Sequence, residues 1–319
     1  MKKVLITGIG GFAGRYLTKA LKGKVDIFGG ELDPEKCCQG EFYHKHATIY
    51  SMDINQREQV CELLDQIKPD IIYHMAAVVP IYIAISNPEI PLTTNVLGTL
   101  NLFESLRKLE QKPRVIMGGS CEEYGLIKPE ETPVSEEQPL RPANTYAVSK
   151  IAQTMLGIQY FRSYNLPIMT GRAFNLTGPG QPPVYACSSF AKQIAEIMLG
   201  LASPVVNVGN LSAKRDYNDI RDIVRGYICI AESGEPGDVY NICSGQAVSM
   251  QEILDHLIEL SEINIEIKTD PEKFRPSDIN LVIGNNFKLK SIGYEPQYSL
   301  LQMLKDLLHY WLKKSSAPA

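Results

Sequence analysis

Lys3-Val4-Leu5-Ile6-Thr7-Gly8-Ile9-Gly10-Gly11-Phe12-Ala13-Gly14 begins with a short apolar strand and runs straight into glycines spaced G-x-x-G-x-x-G. Glycines at that spacing permit a tight turn and a close backbone approach. The helix behind them can then present its N-terminal amides to a pyrophosphate. Phe12, Tyr16, Leu17, Ala20 and Leu21 recur at helical spacing and supply that helix. Without a flanking strand and helix, the same glycines would be no more than a turn.

Outward from this turn, Val25 to Gly29 reads as a second strand. Beyond it a dinucleotide site needs an acid to accept hydrogen bonds from the adenosine ribose, and Glu31 is the nearest candidate. Leu32 follows and no arginine does, so NAD(H) is favoured over NADP(H): a carboxylate repels a 2′-phosphate. Gly30 is the alternative occupant of that position. Asp53 and Ile54 close a third apolar strand, where Asp53 is either a neighbour of the adenine or an ordinary acid at a helix start. Asn55 to Glu58 starts a helix with Val60, Leu63, Leu64 and Ile67 inward, and Ile71 to Met75 is the next strand. His74 reads as a satisfied strand-end histidine. Ala76 and Ala77 let backbone lie close to a cofactor. A helix from about Glu89 to Leu109 and a strand from Arg114 to Met117 continue the alternation. Such alternation predicts an α/β fold with a doubly wound parallel sheet.

Tyr146 and Lys150 stand four residues apart in a helix-compatible run and so share a helix face. A neighbouring ammonium favours the phenolate and is expected to draw the tyrosine towards a working range for proton transfer.

The 319 residues carry a formal charge of −4 and are 44% hydrophobic, which describes a globular chain of about two domains. No basic stripe points to nucleic acid. No apolar run reaches membrane-spanning length, so a cytoplasmic protein is expected. The seven cysteines show neither C-x-x-C pairs nor histidine clustering, which predicts reduced thiols and no metal site.

Four separated motifs now stand in order: Thr7 to Gly14, Asn95-Val96-Leu97-Gly98-Thr99, Ser120-Cys121-Glu122-Glu123-Tyr124-Gly125, and Tyr146-x-x-x-Lys150. Together they resemble the extended short-chain dehydrogenases/reductases that act on nucleotide sugars. The resemblance spans essentially the whole chain, through Arg172-Ala173-Phe174-Asn175, Arg215-Asp216-Tyr217-Asn218-Asp219-Ile220-Arg221-Asp222 and Arg275-Pro276-Ser277-Asp278. Within that superfamily the closest likeness is to GDP-4-keto-6-deoxy-D-mannose reductases.

The resemblance implies a Rossmann domain over 1–171, with later segments interleaved, and a smaller α/β sugar-nucleotide lobe over 172–319. It implies Tyr146 as acid/base, Lys150 as the cation that binds the nicotinamide ribose, and Ser120 as the hydroxyl that positions a carbonyl. In related 4,6-dehydratases the glutamate at the position of Glu122 removes a sugar proton. The cofactor contacts implied are Gly8, Gly11, Phe12, Gly14, Glu31, Asp53, Ile54, Ala76, Ala77 and Asn95, together with Tyr146 and Lys150. Asn175, Lys192, Arg215 and Arg275 are the groups implied for a GDP-linked sugar. A homodimer through the helices near 89–109 and 144–163 is also implied. Three activities stay open: reduction of a 4-keto sugar nucleotide, an NAD-retaining dehydratase or epimerase, and a silent binding protein. After Ala77 the chain departs from its relatives with the apolar run Val78 to Ile83, which predicts a less polar pocket wall.

Overall fold

The computed structural model describes residues 1–38, 41–78, 86–271 and 281–316. Fourteen strands are present among them: β1 (Lys3–Thr7), β2 (Asp26–Glu31), β3 (Thr48–Ser51), β4 (Ile71–His74), β5 (Arg114–Ser120), β6 (Ile168–Ala173), β7 (Asn175–Thr177), β8 (Val205–Val208), β9 (Lys214–Arg215), β10 (Tyr217–Asp219), β11 (Val239–Ile242), β12 (Val248–Ser249), β13 (Glu266–Thr269) and β14 (Leu281–Val282). Seven make one parallel sheet in the order β11-β6-β5-β4-β1-β2-β3. The chain leaves β1 in one direction for β2 and β3, then returns to place β4 on the other side of β1. The two senses of winding meet between β1 and β4, the crevice where open α/β sheets bind ligands.

Strand residues alternate between the two faces. Val4, Ile6, Tyr73 and Ile116 join a core under the helices Phe12–Leu21 and Ile220–Ser233. Leu5, Ile72, Val115 and Met117 face the helices Arg57–Ile67, Gly98–Leu106 and Thr145–Tyr164. A parallel sheet covered on both sides explains why these strands read as unbroken apolar runs. A separate core, with Phe190, Ile194, Leu254, Leu257, Leu304 and Trp311, joins the helices Ala186–Met198, Met250–Ser261 and Leu300–Ser315.

Two strands run further than their composition suggests. β2 continues past Gly29 to Glu31 because Gly30 and Glu31 pair with Tyr50 and Ser51. β5 continues past Met117 to Ser120, pairing Gly118, Gly119 and Ser120 with Gly171, Arg172 and Ala173. Glycine weakens a strand by propensity, but here the neighbours demand it: a Cβ on Gly119 would meet Thr170 at 2.7 Å and the Glu123 carboxylate at 2.8 Å. The boundary at 171 lies inside β6, and β11 returns from the second half to complete the sheet beyond it. The helix around residues 89–106 contains a wider π turn, Leu92–Leu97, that carries Asn95 inward.

Candidate active site

A cleft of about 790 Å³ opens along the carboxyl ends of the parallel strands, within the size range of small-molecule and cofactor sites. Its floor is the glycine turn. Gly8 has φ +69°, and a Cβ there would sit 2.8 Å from the Ala76 backbone. A Cβ on Gly14 would meet the Gly8 carbonyl at 2.4 Å, so only glycine lets helix and turn pack this closely. The helix Phe12–Leu21 has Gly11 at its N-cap, no capping side chain and no acid in its first turn. Its leading amides therefore keep the capacity to bind a phosphate. These are the features a pyrophosphate-bearing nicotinamide dinucleotide requires, and the residues present fit one.

Gly8, Gly11, Phe12, Gly14, Glu31, Asp53, Ile54, Ala76 and Ala77 all line this cleft. The Glu31 carboxylate accepts hydrogen bonds from the Gly10 N–H (2.9 Å) and the Leu32 N–H (3.1 Å), which fixes it across the turn. Asp53 both borders the cleft and accepts from the Asn55 N–H at 2.9 Å, so it serves the turn before the helix Arg57–Ile67 as well. Asn95 is fully buried behind the wall: it accepts from the Val78 N–H at 2.9 Å and donates to Ser149 Oγ at 2.9 Å. It holds the Ala76–Val78 segment and does not border the cleft. Of the apolar run Val78 to Ile83, Val78 lines the cleft and residues 79–83 lie outside the described residues.

Ser120, Glu122, Tyr146 and Lys150 converge at the other end of the cleft. Ser120 ends β5, and Tyr146 and Lys150 stand on the first two turns of the helix Thr145–Tyr164, which Asn144 caps by accepting from the Ala147 N–H at 2.8 Å. Tyr146 lies close enough to Ser120 for the serine hydroxyl to act on its phenol. Burial drives its phenol well above the ordinary tyrosine value, against a smaller opposing pull from Ser120. The lowering expected from Lys150 is not found: the phenol is raised, and Lys150 is not among the groups chiefly acting on it. The ammonium lies 5.9 Å from the phenol ring centre and donates elsewhere, to the Gly118 carbonyl (2.9 Å) and Gln153 Oε1 (2.8 Å). Lys150 itself is pulled down to about 8 by burial, with the Glu123 charge opposing. Glu122 accepts a long hydrogen bond from Asn144 Nδ2 at 3.4 Å.

Behind Lys150 a chain of polar groups runs through the core. Gln153 donates to Thr99 Oγ1 (2.6 Å), Thr99 pairs with His74 Nε2 (2.9 Å), and His74 Nδ1 pairs with Thr7 Oγ1 (2.7 Å). Burial, helped by Lys150, lowers His74 to about 3, so His74 is neutral and structural.

Of the sugar-nucleotide residues, Asn175 lines the cleft, and Arg215 lines a small adjoining pocket that shares Cys121, Glu122 and Asn175 with it. Lys192 is not brought to the cleft: it lies on the helix Ala186–Met198, 3.5 Å from Glu196 and against the Trp311 ring. Arg275 lies outside the described residues. The sequence reading missed Gln181, Pro182, Val184 and Tyr185, which wall the cleft from the second half. It also missed Glu123 and Gln153, whose positions three residues beyond Ser120 and Lys150 were the available signal. All seven cysteines are unpaired. Among the described residues no cluster of metal-binding side chains occurs and no helix is long and apolar enough to cross a membrane.

The model for the family GDP-mannose 4,6 dehydratase matches residues 5–307. The chain is 29% identical over 311 residues to the GDP-6-deoxy-D-mannose reductase of Pseudomonas aeruginosa, covering 97% of each. It is 26% identical over 350 residues to a GDP-mannose 4,6-dehydratase of Yersinia enterocolitica, covering 97% of this chain and 93% of that one. Among solved structures it resembles RMD from Pseudomonas aeruginosa complexed with NADPH, with a TM-score of 0.87 and 27% identity over 98% of this chain and 100% of that one. The chain belongs to the GDP-mannose 4,6-dehydratase family, and is a nicotinamide-dependent nucleotide-sugar enzyme of the extended short-chain dehydrogenase/reductase type.

Proposed function

We propose that the chain reduces the 4-keto group of GDP-4-keto-6-deoxy-D-mannose to the corresponding GDP-6-deoxyhexose. The observation that carries this reading is the convergence of Ser120, Tyr146 and Lys150 in one cleft beside an uncapped glycine-turn helix. The nicotinamide cofactor supplies the hydride when bound. A ketone that gains hydride becomes an alkoxide, which needs a proton and a hydrogen-bond donor where charge develops. Tyr146, kept protonated by burial, suits the role of proton donor, and the Ser120 hydroxyl that of carbonyl anchor. Lys150 holds the nicotinamide ribose. Asn175 and Arg215, with Arg275 as a further contact, serve the nucleotide sugar in the lobe over 172–319, and residues 1–171 with later segments such as β11 form the dinucleotide domain.

We further infer NADH over NADPH, because the fixed Glu31 carboxylate lies on the cleft wall and would oppose a 2′-phosphate. The reductase of P. aeruginosa was solved with NADPH, which makes this the sharper test. We also propose a cytoplasmic homodimer through the helices near 89–109 and 144–163, whose outward residues Leu92, Leu97, Val148 and Met155 are exposed.

Adding the keto sugar nucleotide with NADH or NADPH and following the reduced-nicotinamide absorbance tests the reaction. Consumption of the reduced cofactor is expected, with no change on GDP-mannose. A second reading is supported by Glu122 bordering the cleft, where a carboxylate is able to abstract a sugar proton. Conversion of GDP-mannose to a keto sugar without added cofactor would favour the dehydratase instead.

A further inference from the structure

Directly behind the catalytic groups lies a buried ion pair that the reaction chemistry does not itself call for. Glu123 and Arg172 are 0% and 2% exposed, with Arg172 Nε 2.8 Å from Glu123 Oε2. Burying two charges costs several kcal/mol per ion, which their attraction repays only with close geometry and further hydrogen bonds. Glu123 Oε1 accepts from the Ser120 N–H at 2.9 Å, and Oε2 also accepts from Thr154 Oγ1 at 2.9 Å. Arg172 Nη1 reaches Tyr124 Oη at 3.2 Å and the Glu136 carbonyl at 3.3 Å.

The positions of these partners matter. Ser120 is the end of β5, and Thr154 stands one helical turn beyond Lys150, on the same face. One carboxylate therefore spans the strand that carries Ser120 and the helix that carries Tyr146 and Lys150. The same stretch of β5 is held from the other side, where Lys150 donates to the Gly118 carbonyl. Gly119 between them must lack a side chain because the Glu123 carboxylate fills the space.

We propose that Glu123 is the positioning residue of the catalytic set: it fixes the Ser120 backbone, ties the Tyr146 helix to β5 through Thr154, and supplies the counter-charge for the buried Lys150 ammonium. The triad's role rests on the reductase reading; the titration that tests the counter-charge does not. The groups facing Lys150 are Tyr146 on its own helix, the neutral His74 from β4, and Glu123 after β5 with Arg172 from β6 behind it. Tyr227, from the helix Ile220–Ser233, faces Glu123. Of these, the Glu123 charge acts to raise Lys150 against its burial.

Selective ¹³C labelling of lysine reads the Lys150 titration without turnover, its signal identified by loss in Lys150→Arg. The double variant Glu123→Gln/Arg172→Met removes both charges, a change that buried pairs often tolerate, and glutamine still accepts from the Ser120 N–H. Its Lys150 midpoint should fall by about one pH unit or more. An unchanged midpoint would overturn the counter-charge. Glu123→Asp keeps the charge on a shorter arm that no longer reaches both partners. It should retain the midpoint while kcat falls at least tenfold with KM for the reduced cofactor near wild type. Wild-type kcat in that variant would overturn the positioning role. An inactive wild-type enzyme with a shifted midpoint in the double variant would instead count against the reductase reading alone.

Discussion

Tyr146 and Lys150 are both buried, and burial moves them in opposite directions: the phenol holds its proton more tightly and the ammonium less so. Tyr146→Phe should therefore leave reduced-cofactor binding nearly intact while lowering kcat by ~10²–10⁴-fold, the usual contribution of a positioned proton donor. Steady-state kinetics beside a cofactor fluorescence titration checks this, and near-wild-type turnover would remove Tyr146 from the chemistry. The charged form of Lys150 exists only below its own titration, pulled down to about 8. Turnover and cofactor affinity should accordingly fall as pH rises through that value, whereas an alkaline limb lying near the ordinary lysine value would contradict it. At the far end of the cleft, the proposed preference for NADH rests on Glu31. Two unit charges ~4 Å apart repel by roughly 4 kcal/mol at an effective dielectric of about 20 before relaxation and salt reduce it. Wild type should prefer NADH in kcat/KM, and Glu31→Ser should narrow the gap. A wild type that prefers NADPH would show that the Glu31 carboxylate stays on the Gly10 amide and leaves the ribose to others.

Helix and strand ends set these residues in place. Asn144 caps the Tyr146 helix, and losing such a cap costs about 1 kcal/mol. Asn144→Ala should lower the urea midpoint by that equivalent with the slope unchanged, and should reduce kcat because Tyr146 stands in the first helical turn. A stability loss with no kinetic effect would mean that packing alone orients the phenol. Ser249, whose hydroxyl and backbone share Glu252 in a capping box, is an equivalent cap whose loss should leave kinetics untouched. Local signals of this kind were legible in the sequence: the glycine turn, the alternation of strand and helix and the Tyr146/Lys150 spacing all depend on neighbours within a few residues. The extension of β5 through Gly118 and Gly119 was not, because its cause is pairing with Gly171, Arg172 and Ala173 of β6, which lie far away in the sequence. The burial of Asn95 was not legible for a similar reason. Its residue type suits a polar contact, and only the course of the chain after β4 decides that the amide meets the Val78 backbone and Ser149. Gln181 and Tyr185 carry no local mark of a site and become wall residues through the return of the second half to the cleft.

At the scale of the molecule, the two halves share the site. Tyr16, two residues past the glycine motif, donates to the Pro179 carbonyl at 2.7 Å, which joins the floor of the cleft to the loop before Gln181. The exposed Leu97, Val148 and Met155 lie on helices that pack side by side on one face of the sheet, and a second copy covering that face is the simplest way to remove them from water. Light scattering should give twice the chain mass at micromolar concentration, and Met155→Glu should shift it towards the monomer; a monomeric wild type would reject the assembly. The last strand to join the sheet has a consequence for synthesis. β6 emerges from the ribosome with one side unpaired, and the segment that covers it, Val239–Ile242, is made only after the whole intervening stretch has followed. At roughly 5–20 residues per second, a nascent chain exposes that open backbone edge for on the order of ten seconds, so a translational pause between these strands is where a growing chain would be captured by a chaperone or by another copy of itself.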